Sequence, residues 1–374
     1  MGARELVIVG ISGGVDSAVA ALLLLQAGFE VQGLHMTNWE DDAAHCTAAA
    51  DFQAARRACE ELGIPLHRAN FSAAYREQVF ADFLAEYRAG RTPNPDVLCN
   101  RHIKFGAFLE HARRLGASRI ATGHYARLEA NAAVRLLKAV DEHKDQTYFL
   151  HAVPGTALRH ALFPLGGLHK HEVRAMAAAA GLPNYDRPDS TGICFIGERP
   201  FREFLGQYLG SEPGPILDAG GRELGRHQGI AYYTPGQRTG LGIGGSTEGS
   251  GDPWYVAAKR PAERALVVVQ GRGHPLLWSR RVHTGPPCWI DAVPAGLENV
   301  GGWRCEVRLR HRHRPAPASV WRDDGDGGLR ICFDEPQWAA APGQYAVFYD
   351  ADACLGGAVI AAATSLADAG EPSG

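Results

Sequence analysis

Paired and clustered cysteines are missing from this sequence, because its cysteines are scattered along the chain. Eight occur among 374 residues, none of them in a Cys-x-x-Cys pair or in a cluster with histidine. Such spacing is not that of a disulfide scaffold in so long a chain, and it supports neither a zinc site nor an iron–sulfur site. We therefore expect most of these thiols to be reduced and buried as small apolar groups.

Long apolar segments and a strong net charge are also missing. The longest strongly apolar run, residues 19–27, is far shorter than the roughly 20 residues that a membrane span needs. No signal peptide is recognisable in the first residues, so we expect a cytoplasmic protein without a membrane partner. The formal net charge of −3 counts mildly against a nucleic-acid partner, although a basic patch on one face is enough to bind one.

The order of predicted elements indicates the fold. Strand-like and helix-like stretches alternate between residue 5 and about residue 150, which predicts an α/β fold with a doubly wound parallel sheet and ligands at the carboxyl ends of its strands. After residue 275, short strand-like segments at regular spacing predict a small β barrel. We expect a catalytic domain over residues 1–210, a small central domain over 211–275, a β-barrel domain over 276–366 and a disordered tail over 367–374.

A glycine-rich loop, Gly-Ile-Ser-Gly-Gly-Val-Asp-Ser at residues 10–17, follows the first predicted strand and opens a helix. Its glycines let the backbone approach a phosphate, and the N–H groups of the helix start and the hydroxyls of Ser12 and Ser17 are donors. Asp16 is unusual beside an anion, and it fits if it holds Mg²⁺ between phosphates. The lysine of a Walker loop is missing. The alternative, a turn without ligand, does not explain two serines and an aspartate.

This Ser-Gly-Gly-x-Asp-Ser loop resembles the signature of the PP-loop, or N-type, ATP pyrophosphatases. The resemblance implies an adenine nucleotide α-hydrolase-like domain that adenylates a substrate oxygen and releases pyrophosphate. Because that group contains synthetases of small molecules as well as tRNA-modifying enzymes, the loop alone leaves the substrate open.

Two cysteines stand in unusual loops. Cys99 ends the stretch Arg-Thr-Pro-Asn-Pro-Asp-Val-Leu-Cys, whose two prolines restrict the backbone, and the basic residues Arg101 and Lys104 that follow favour a thiolate. Cys194 lies between glycines in residues 189–197. Each cysteine alone is more often a structural thiol. Beside an adenylating loop they indicate a sulfur nucleophile, because an adenylated oxygen is a leaving group that sulfur can replace.

Taken together, six segments resemble the family of bacterial tRNA-specific 2-thiouridylases, in order, from residue 6 to residue 361. The segments are residues 10–17, 91–100, 121–124, 144–149, 189–197 and 236–245. The resemblance implies an ATP-dependent sulfurtransferase that converts the wobble uridine of tRNA to 2-thiouridine with a persulfide sulfur relayed from a donor protein.

The resemblance also implies roles for single residues: Cys99 as the nucleophile, Cys194 as the persulfide carrier, a disulfide between them on sulfur release, and Asp96 as an acid or base. The implied ATP contacts are Gly10, Ile11, Ser12, Gly13, Gly14, Val15, Asp16, Ser17, Met36 and Gly123, with Asp16 also the predicted magnesium ligand. The implied tRNA contacts are Asn94, Pro95 and Asp96 at the target base, and Lys144, Asp145, Gln146, Arg310 and His311 elsewhere.

The last two of these residues lie in a basic stripe of arginine and histidine at residues 308–314. We interpret the stripe as an RNA contact on one strand, with a solvated charged edge as the alternative. His311 stands where the family usually has tyrosine, and it can still stack on a base or bind a phosphate.

Two other functions remain open from the sequence. One is a PP-loop enzyme that adenylates a small molecule, in which case replacing Cys99 by serine leaves the activity intact. The other is a non-catalytic nucleotide-binding or RNA-binding module, which releases no pyrophosphate from ATP when tRNA is added. The glycine pattern at residues 240–245 lies outside a βαβ unit, so we interpret it as tight turns and not as a dinucleotide site.

Overall fold

The computed structural model describes residues 4–40, 48–131, 133–188, 201–210, 212–243, 251–323 and 325–369. Cys194 and the rest of its predicted loop, residues 189–197, lie outside the described residues, as do Cys46 and residues 370–374.

The first half of the chain alternates strands with helices. Its elements are β1 (Leu6–Gly10), α1 (Val15–Gln26), β2 (Glu30–Thr37), α2 (Ala48–Leu62), β3 (Leu66–Asn70), α3 (Ser72–Tyr75), α4 (Ala81–Arg88), α5 (Pro95–Leu98), α6 (Phe108–Arg114), β4 (Arg119–Ala121), β5 (Arg127–Ala130), β6 (Val134–Leu137), α7 (Thr147–Leu150), α8 (Gly155–Leu158), β7 (Ala161–Leu162), α9 (Lys170–Ala179) and α10 (Phe201–Gly206), with π-helical stretches at Arg76–Phe80 and Cys99–Ala107.

Five of these strands form a sheet in the order β3-β2-β1-β4-β7, and all its neighbouring strands are parallel. The predicted doubly wound parallel sheet is therefore confirmed. Ile8 of β1 packs with Phe108 on one face, while Val7 and Val9 pack with Ala21 of α1 on the other. A strand covered on both faces is apolar at every position, which explains the uninterrupted apolar run of β1.

The central part is a four-stranded sheet in the order β10-β11-β8-β9, whose strands pack around Ile216, Val256 and Leu266. Its elements are β8 (Gly214–Leu217), β9 (Glu223–His227), β10 (Trp254–Arg260) and β11 (Ala265–Gln270), with 3-10 turns at Ile230–Tyr232 and Pro261–Glu263.

The C-terminal part confirms the predicted β barrel. Its elements are β12 (Trp278–Thr284), β13 (Cys288–Trp289), β14 (Trp303–Arg308), β15 (Ala316–Arg322), β16 (Leu329–Trp338), β17 (Tyr345–Asp350), β18 (Ala353–Ser365) and α11 (Leu366–Ala369), with 3-10 turns at Pro275–Leu277 and Ala295–Glu298. The strands follow the order β12-β16-β15-β14-β17-β18, and β18 pairs back to β12. That last pairing closes the sheet, so these strands leave no free edge.

The hairpin β5–β6 of the first half also joins this barrel, because Leu136 and Leu137 pair with Cys354 and Ala353 of β18. One sheet therefore runs from the N-terminal half into the barrel, and residues far apart in the sequence meet along it. The expected domain boundaries at residues 210, 275 and 366 stay predictions.

Two expectations differ from the structure. The basic stripe does not continue along a strand: β14 ends at Arg308, and the chain turns over the following residues. Residues 367–369, expected to be disordered, belong to α11. Ser365 caps this helix, because its Oγ accepts a hydrogen bond from Asp368 N at 3.1 Å, and Leu366 is buried. Within the described residues no helix is long and apolar enough to cross a membrane.

Candidate active site

The glycine-rich loop at residues 10–17 joins the end of β1 to the start of α1 and lies at the carboxyl edge of the parallel sheet. Gly13 has a φ of 88°, a left-handed conformation that favours glycine, and Gly14 is the N-cap of α1. The first N–H groups of a helix have no acceptor within that helix and can donate to phosphate oxygens. The loop thus has the geometry of a phosphate-binding loop.

The two serines stabilise the shape of this loop. Ser12 N donates to Ser17 Oγ at 3.2 Å, Ser17 Oγ donates to Gly14 O at 3.0 Å, and Gly14 N donates to Ser12 Oγ at 3.3 Å. Both hydroxyls therefore bond the backbone of the loop itself. Their role in this structure is to hold the loop, while the backbone N–H groups of a helix start are donors that can bind a phosphate.

A second set of contacts fixes the loop from outside. The carbonyl of Gly13 accepts hydrogen bonds from Asn184 Nδ2 at 3.0 Å and from Arg187 Nη1 at 3.1 Å, and Arg187 also pairs with Asp51. A Cβ on Gly13 would lie 2.5 Å from the backbone oxygen of Asp51. The loop is therefore packed too closely for any residue but glycine at this position.

Asp16 binds a cationic side chain in this structure. Lys170 Nζ lies 2.7 Å from its Oδ1 and 2.8 Å from its Oδ2, and the hydroxyl of Tyr125 donates to Oδ1 at 2.9 Å. The Asp16 carboxylate thus already accepts a cation. A single carboxylate fits magnesium, which proteins bind through one or two carboxylates together with substrate phosphates, so Asp16 is the residue that would hold it.

The other implied ATP contacts, Met36 and Gly123, lie against the same loop. A Cβ on Gly123 would be 2.8 Å from the backbone nitrogen of Ser17, and a Cβ on Gly10 would be 3.3 Å from Met36 Cε. Beside Gly123, burial lowers the pKa of His124 well below its usual range, so this imidazole is neutral and bonds the Thr122 hydroxyl at 2.7 Å. The structure brings the residues predicted to contact ATP together at one edge of the sheet.

The loop before Cys99 is ordered by its own sequence. Asn94 is the N-cap of α5 and its side chain accepts a hydrogen bond from Asp96 N at 3.3 Å, while Pro95 occupies the first helical position. Cys99 follows directly and begins the π-helical stretch Cys99–Ala107, a geometry that is frequent at functional sites. Its side chain is fully buried, in a cluster that includes Trp39 and Tyr75.

Arg101, expected to favour the thiolate of Cys99, contacts a different cysteine. Its Nη1 donates to the sulfur of Cys288 in the barrel at 3.2 Å. Cys59 and Cys354 are buried like Cys99, and burial raises the pKa of the Cys59 thiol to about 11. Cys288, Cys305 and Cys332 are half-buried, so the expectation that most thiols are fully buried holds for only half of the described ones.

The implied tRNA contacts at residues 144–146 and 310–311 come from distant parts of the chain and meet in the structure. His311 Nε2 lies 3.1 Å from the carbonyl oxygen of Asp145, and the His311 ring is 4.5 Å from that of Phe149. The Asp145 carboxylate itself is buried and pairs with Arg308 at 3.1 Å. Asp145 therefore helps to build the surface, while a buried carboxylate is not placed to touch RNA.

Arg310 is half-buried at the contact between the barrel and the central part. Its Nη2 donates to the carbonyl of Pro235 at 2.6 Å, and its guanidinium lies 5.9 Å from the ring centre of Trp338. Burial lowers the pKa of Arg310. Its Nε is buried and has no hydrogen-bond partner among the described residues.

Several residues at the site escaped the sequence analysis because their partners are remote in sequence. They are Tyr125, Lys170, Asn184 and Arg187 at the phosphate loop, and Thr92 and Lys259 beside the Cys99 loop. The only signal for them in the sequence is that Thr92 lies within a segment that resembles the family and Tyr125 directly follows one.

The fold and the loop at residues 10–17 define a PP-loop nucleotide-binding domain joined to a β barrel. Family models match nearly the whole chain: a tRNA methyl transferase HUP domain at residues 5–198, a tRNA methyl transferase PRC-barrel domain at 202–270 and an aminomethyltransferase beta-barrel domain at 280–360.

Curated relatives match over the same length. The tRNA-specific 2-thiouridylase MnmA of Acidovorax ebreus is 54% identical over 96% of this chain and 99% of the relative, and that of Alkalilimnicola ehrlichii is 52% identical over 98% and 100%. The chain belongs to the tRNA-specific 2-thiouridylase MnmA family. A solved structure of the U34-tRNA thiolase NcsA from Methanococcus maripaludis is 17% identical over 55% of this chain and 64% of that chain with a TM-score of 0.34, a likeness too low to add to the assignment.

Proposed function

We propose that this protein is an ATP-dependent tRNA-uridine 2-sulfurtransferase, which replaces the C2 oxygen of the wobble uridine of tRNA by sulfur. The observation that carries the proposal is its 52–54% identity, over nearly the full length of both chains, to relatives named tRNA-specific 2-thiouridylase. The site supports the proposal independently, because a loop suited to adenylation and a thiol on a structured loop are the two parts that such a reaction needs.

The reaction we propose has two steps. The C2 oxygen of uridine first attacks the α-phosphorus of ATP, a P–O bond forms, and pyrophosphate leaves from the loop at residues 10–17. The terminal sulfur of a persulfide on Cys194 then takes the place of the oxygen, which departs with AMP. Cys99 is the nucleophile that attacks the Cys194 sulfur: a Cys99–Cys194 disulfide forms, and the persulfide S–S bond breaks with its electron pair going to the transferred sulfur. Asp96 moves the required proton.

Several finer assignments belong to the same proposal. Magnesium would be held at Asp16 and would neutralise charge on the ATP phosphates. Residues 94–96 face the target base, and Lys144, Gln146, Arg310 and His311 contact the tRNA around it. A persulfide-carrying donor protein supplies the sulfur to Cys194, and the reaction takes place in the cytoplasm.

The competing functions give different products. A methyl transfer, which the family-model descriptions suggest, adds a carbon group to tRNA and needs no ATP cleavage. A small-molecule synthetase releases pyrophosphate without tRNA. The proposed enzyme releases pyrophosphate only when ATP and tRNA are both present, and it leaves sulfur in the nucleoside.

The test is to incubate the purified protein with ATP, a persulfide donor and unmodified tRNA, and to analyse the digested nucleosides by mass spectrometry. A tRNA with cytidine at the wobble position is the matched control. We expect 2-thiouridine only from the tRNA with wobble uridine, together with an equal amount of pyrophosphate. Formation of a methylated nucleoside, or pyrophosphate release without tRNA, contradicts the proposal.

A further inference from the structure

The loop that leads to Cys99 is held by both C-terminal parts of the protein. On the barrel side, Gln344 Nε2 donates to the carbonyl of Thr92 at 2.8 Å, and Thr92 N donates to the carbonyl of Pro342 at 2.8 Å. Gly343 has a φ of 91°, and a Cβ there would lie 2.7 Å from Thr92 N. The backbone of Thr92 is thus packed directly against a turn of the barrel.

The central part holds the same residue through its side chain. Lys259 Nζ, from β10, donates to Thr92 Oγ1 at 3.3 Å, and Thr92 Oγ1 lies 3.4 Å from Thr234 Oγ1. Gly90, the residue before residues 91–99, also packs against the central part: a Cβ on it would be 2.7 Å from Cγ of Pro261. Thr92 is buried. Its hydroxyl therefore forms a contact, inside the protein, between the central part and the loop that leads to Cys99.

Lys259 is an unusual residue for this position. Its side chain is half-buried, and no carboxylate in the described part of the chain pairs with its ammonium. Desolvation lowers the pKa of Lys259 to about 7. Desolvating an ammonium that has only a neutral hydroxyl for a partner is unfavourable. An apolar side chain at position 259 would make the fold more stable than lysine does, so the lysine indicates a function.

The residues after Thr92 are those that act in the proposed reaction. Two prolines, Pro93 and Pro95, restrict the backbone between Thr92 and α5, and Cys99 follows α5 without a break. A displacement of Thr92 is therefore transmitted to residues 94–96 and to the start of the π-helical stretch, because the intervening chain is stiff.

We propose that Lys259 is a positioning residue for thiolation, which acts through the Thr92 hydroxyl to hold residues 94–96 and Cys99 in their working arrangement. The proposal rests on the proposed function for its kinetic consequence, while its structural consequence can be measured without it. It gives the central part a role in the site, because the Lys259 amino group on β10 fixes a loop that belongs to the ATP-binding half.

The test compares Lys259→Met, Thr92→Val, the double variant and Thr92→Ser, which keeps the hydroxyl. Arg260→Met is the matched control, because Arg260 is the next residue on β10, is exposed, and bonds Glu263. Two quantities are measured on each folded variant: the alkylation rate of Cys99 in the native protein, and the single-turnover rate of 2-thiouridine formation at saturating ATP.

We expect Lys259→Met and Thr92→Val each to raise the alkylation rate of Cys99 and to lower the thiolation rate about tenfold, the effect of losing one hydrogen bond. The double variant should be no worse than either single one, since both remove the same bond. Thr92→Ser and Arg260→Met should match the wild type, and the KM for ATP should not change in any of them.

Additive effects in the double variant, or unchanged alkylation of Cys99 in Lys259→Met, overturn the proposal. If the wild type forms no 2-thiouridine, the proposed function fails, and the alkylation rates still decide whether Lys259 positions the loop. A uniform loss of thermal stability without coupling between Lys259 and Thr92 shows a packing role only and also contradicts the proposal.

Discussion

The ammonium of Lys170 lies 2.7 Å and 2.8 Å from the two carboxylate oxygens of Asp16. Lys170 is the first residue of α9, and Asp16 lies in the first turn of α1. This ion pair connects the phosphate loop to a helix that is remote in sequence. It also places a positive charge beside the position where the phosphates of ATP would lie.

We predict that Asp16→Ala abolishes tRNA-dependent pyrophosphate release while the protein stays folded. Removal of the carboxylate eliminates the proposed cation ligand, and loss of such charge stabilisation is worth several kcal/mol at a phosphoryl site. Pyrophosphate release and the circular dichroism spectrum are the measurements. Wild-type release from the folded variant would show that Asp16 has no role in adenylation.

Lys170→Met should raise the KM for ATP and slow pyrophosphate release, because the variant removes a positive charge that lies beside Asp16 at the phosphate loop. The control is His171→Ala, which changes an exposed side chain in the same helical turn. Steady-state kinetics with ATP as the varied substrate measure the effect. Equal kinetic constants for the two variants contradict a role for Lys170 in binding ATP.

The architecture could be predicted from the sequence, while these side-chain pairs could not. The apolar run of β1 and the glycines at residues 10–17 are local signals, since a buried parallel strand and a phosphate loop need those residues. Lys170 is separated from Asp16 by 154 positions and Lys259 from Thr92 by 167. Only the packing of complete elements brings such residues together, so no local pattern indicates them.

The same reasoning explains the tRNA contacts. Asp145 lies in a segment that resembles the family, yet local sequence does not tell whether its carboxylate faces the solvent or Arg308. The predicted role of Cys194 has no structural test, since that residue lies outside the described part of the chain.

We predict that Asp145→Ala destabilises the protein by about 3 kcal/mol or more, because it leaves the buried guanidinium of Arg308 without a carboxylate to balance its charge. The side chains of Asp145 and Arg308 are 3% and 11% exposed, so solvent screens this pair little. Urea denaturation measures the change. Asp352→Ala, which removes an exposed partner of Arg127, should cost less than about 1 kcal/mol. Equal losses in the two variants contradict the assignment of Asp145 to the core.

Arg310→Ala should weaken tRNA binding and reduce the slope of log affinity against log salt by about one phosphate contact. It should also lower the thermal midpoint, since the bond to Pro235 is lost. Lys144→Ala should change the tRNA affinity alone. Fluorescence titrations at several salt concentrations measure the slopes, with Arg330→Ala, an exposed arginine on β16, as control. If Arg310→Ala lowers stability but leaves the salt slope unchanged, Arg310 is a structural residue.

Lys259 should make stability depend on pH. Its pKa is about 7 in the folded protein and about 10.4 in an unfolded chain, so between these values the unfolded state binds the proton and the folded state does not. The free energy of unfolding should therefore rise with pH from about 7 to about 10, and Lys259→Met should remove this contribution. The measurement is the difference in urea midpoint between wild type and variant across that range. A difference that is constant with pH contradicts the lowered pKa.

The central claim is that this protein makes 2-thiouridine with Cys99 and Cys194. The most direct measurement is mass spectrometry of bulk tRNA from cells that lack the protein and are complemented with the wild type, Cys99→Ser, Cys194→Ser or the control Cys288→Ser. We predict that the wild type and the Cys288→Ser variant restore 2-thiouridine, while the Cys99→Ser and Cys194→Ser variants do not, because serine can neither carry sulfane sulfur nor form the disulfide. Restoration of 2-thiouridine by both Cys99→Ser and Cys194→Ser would contradict the account.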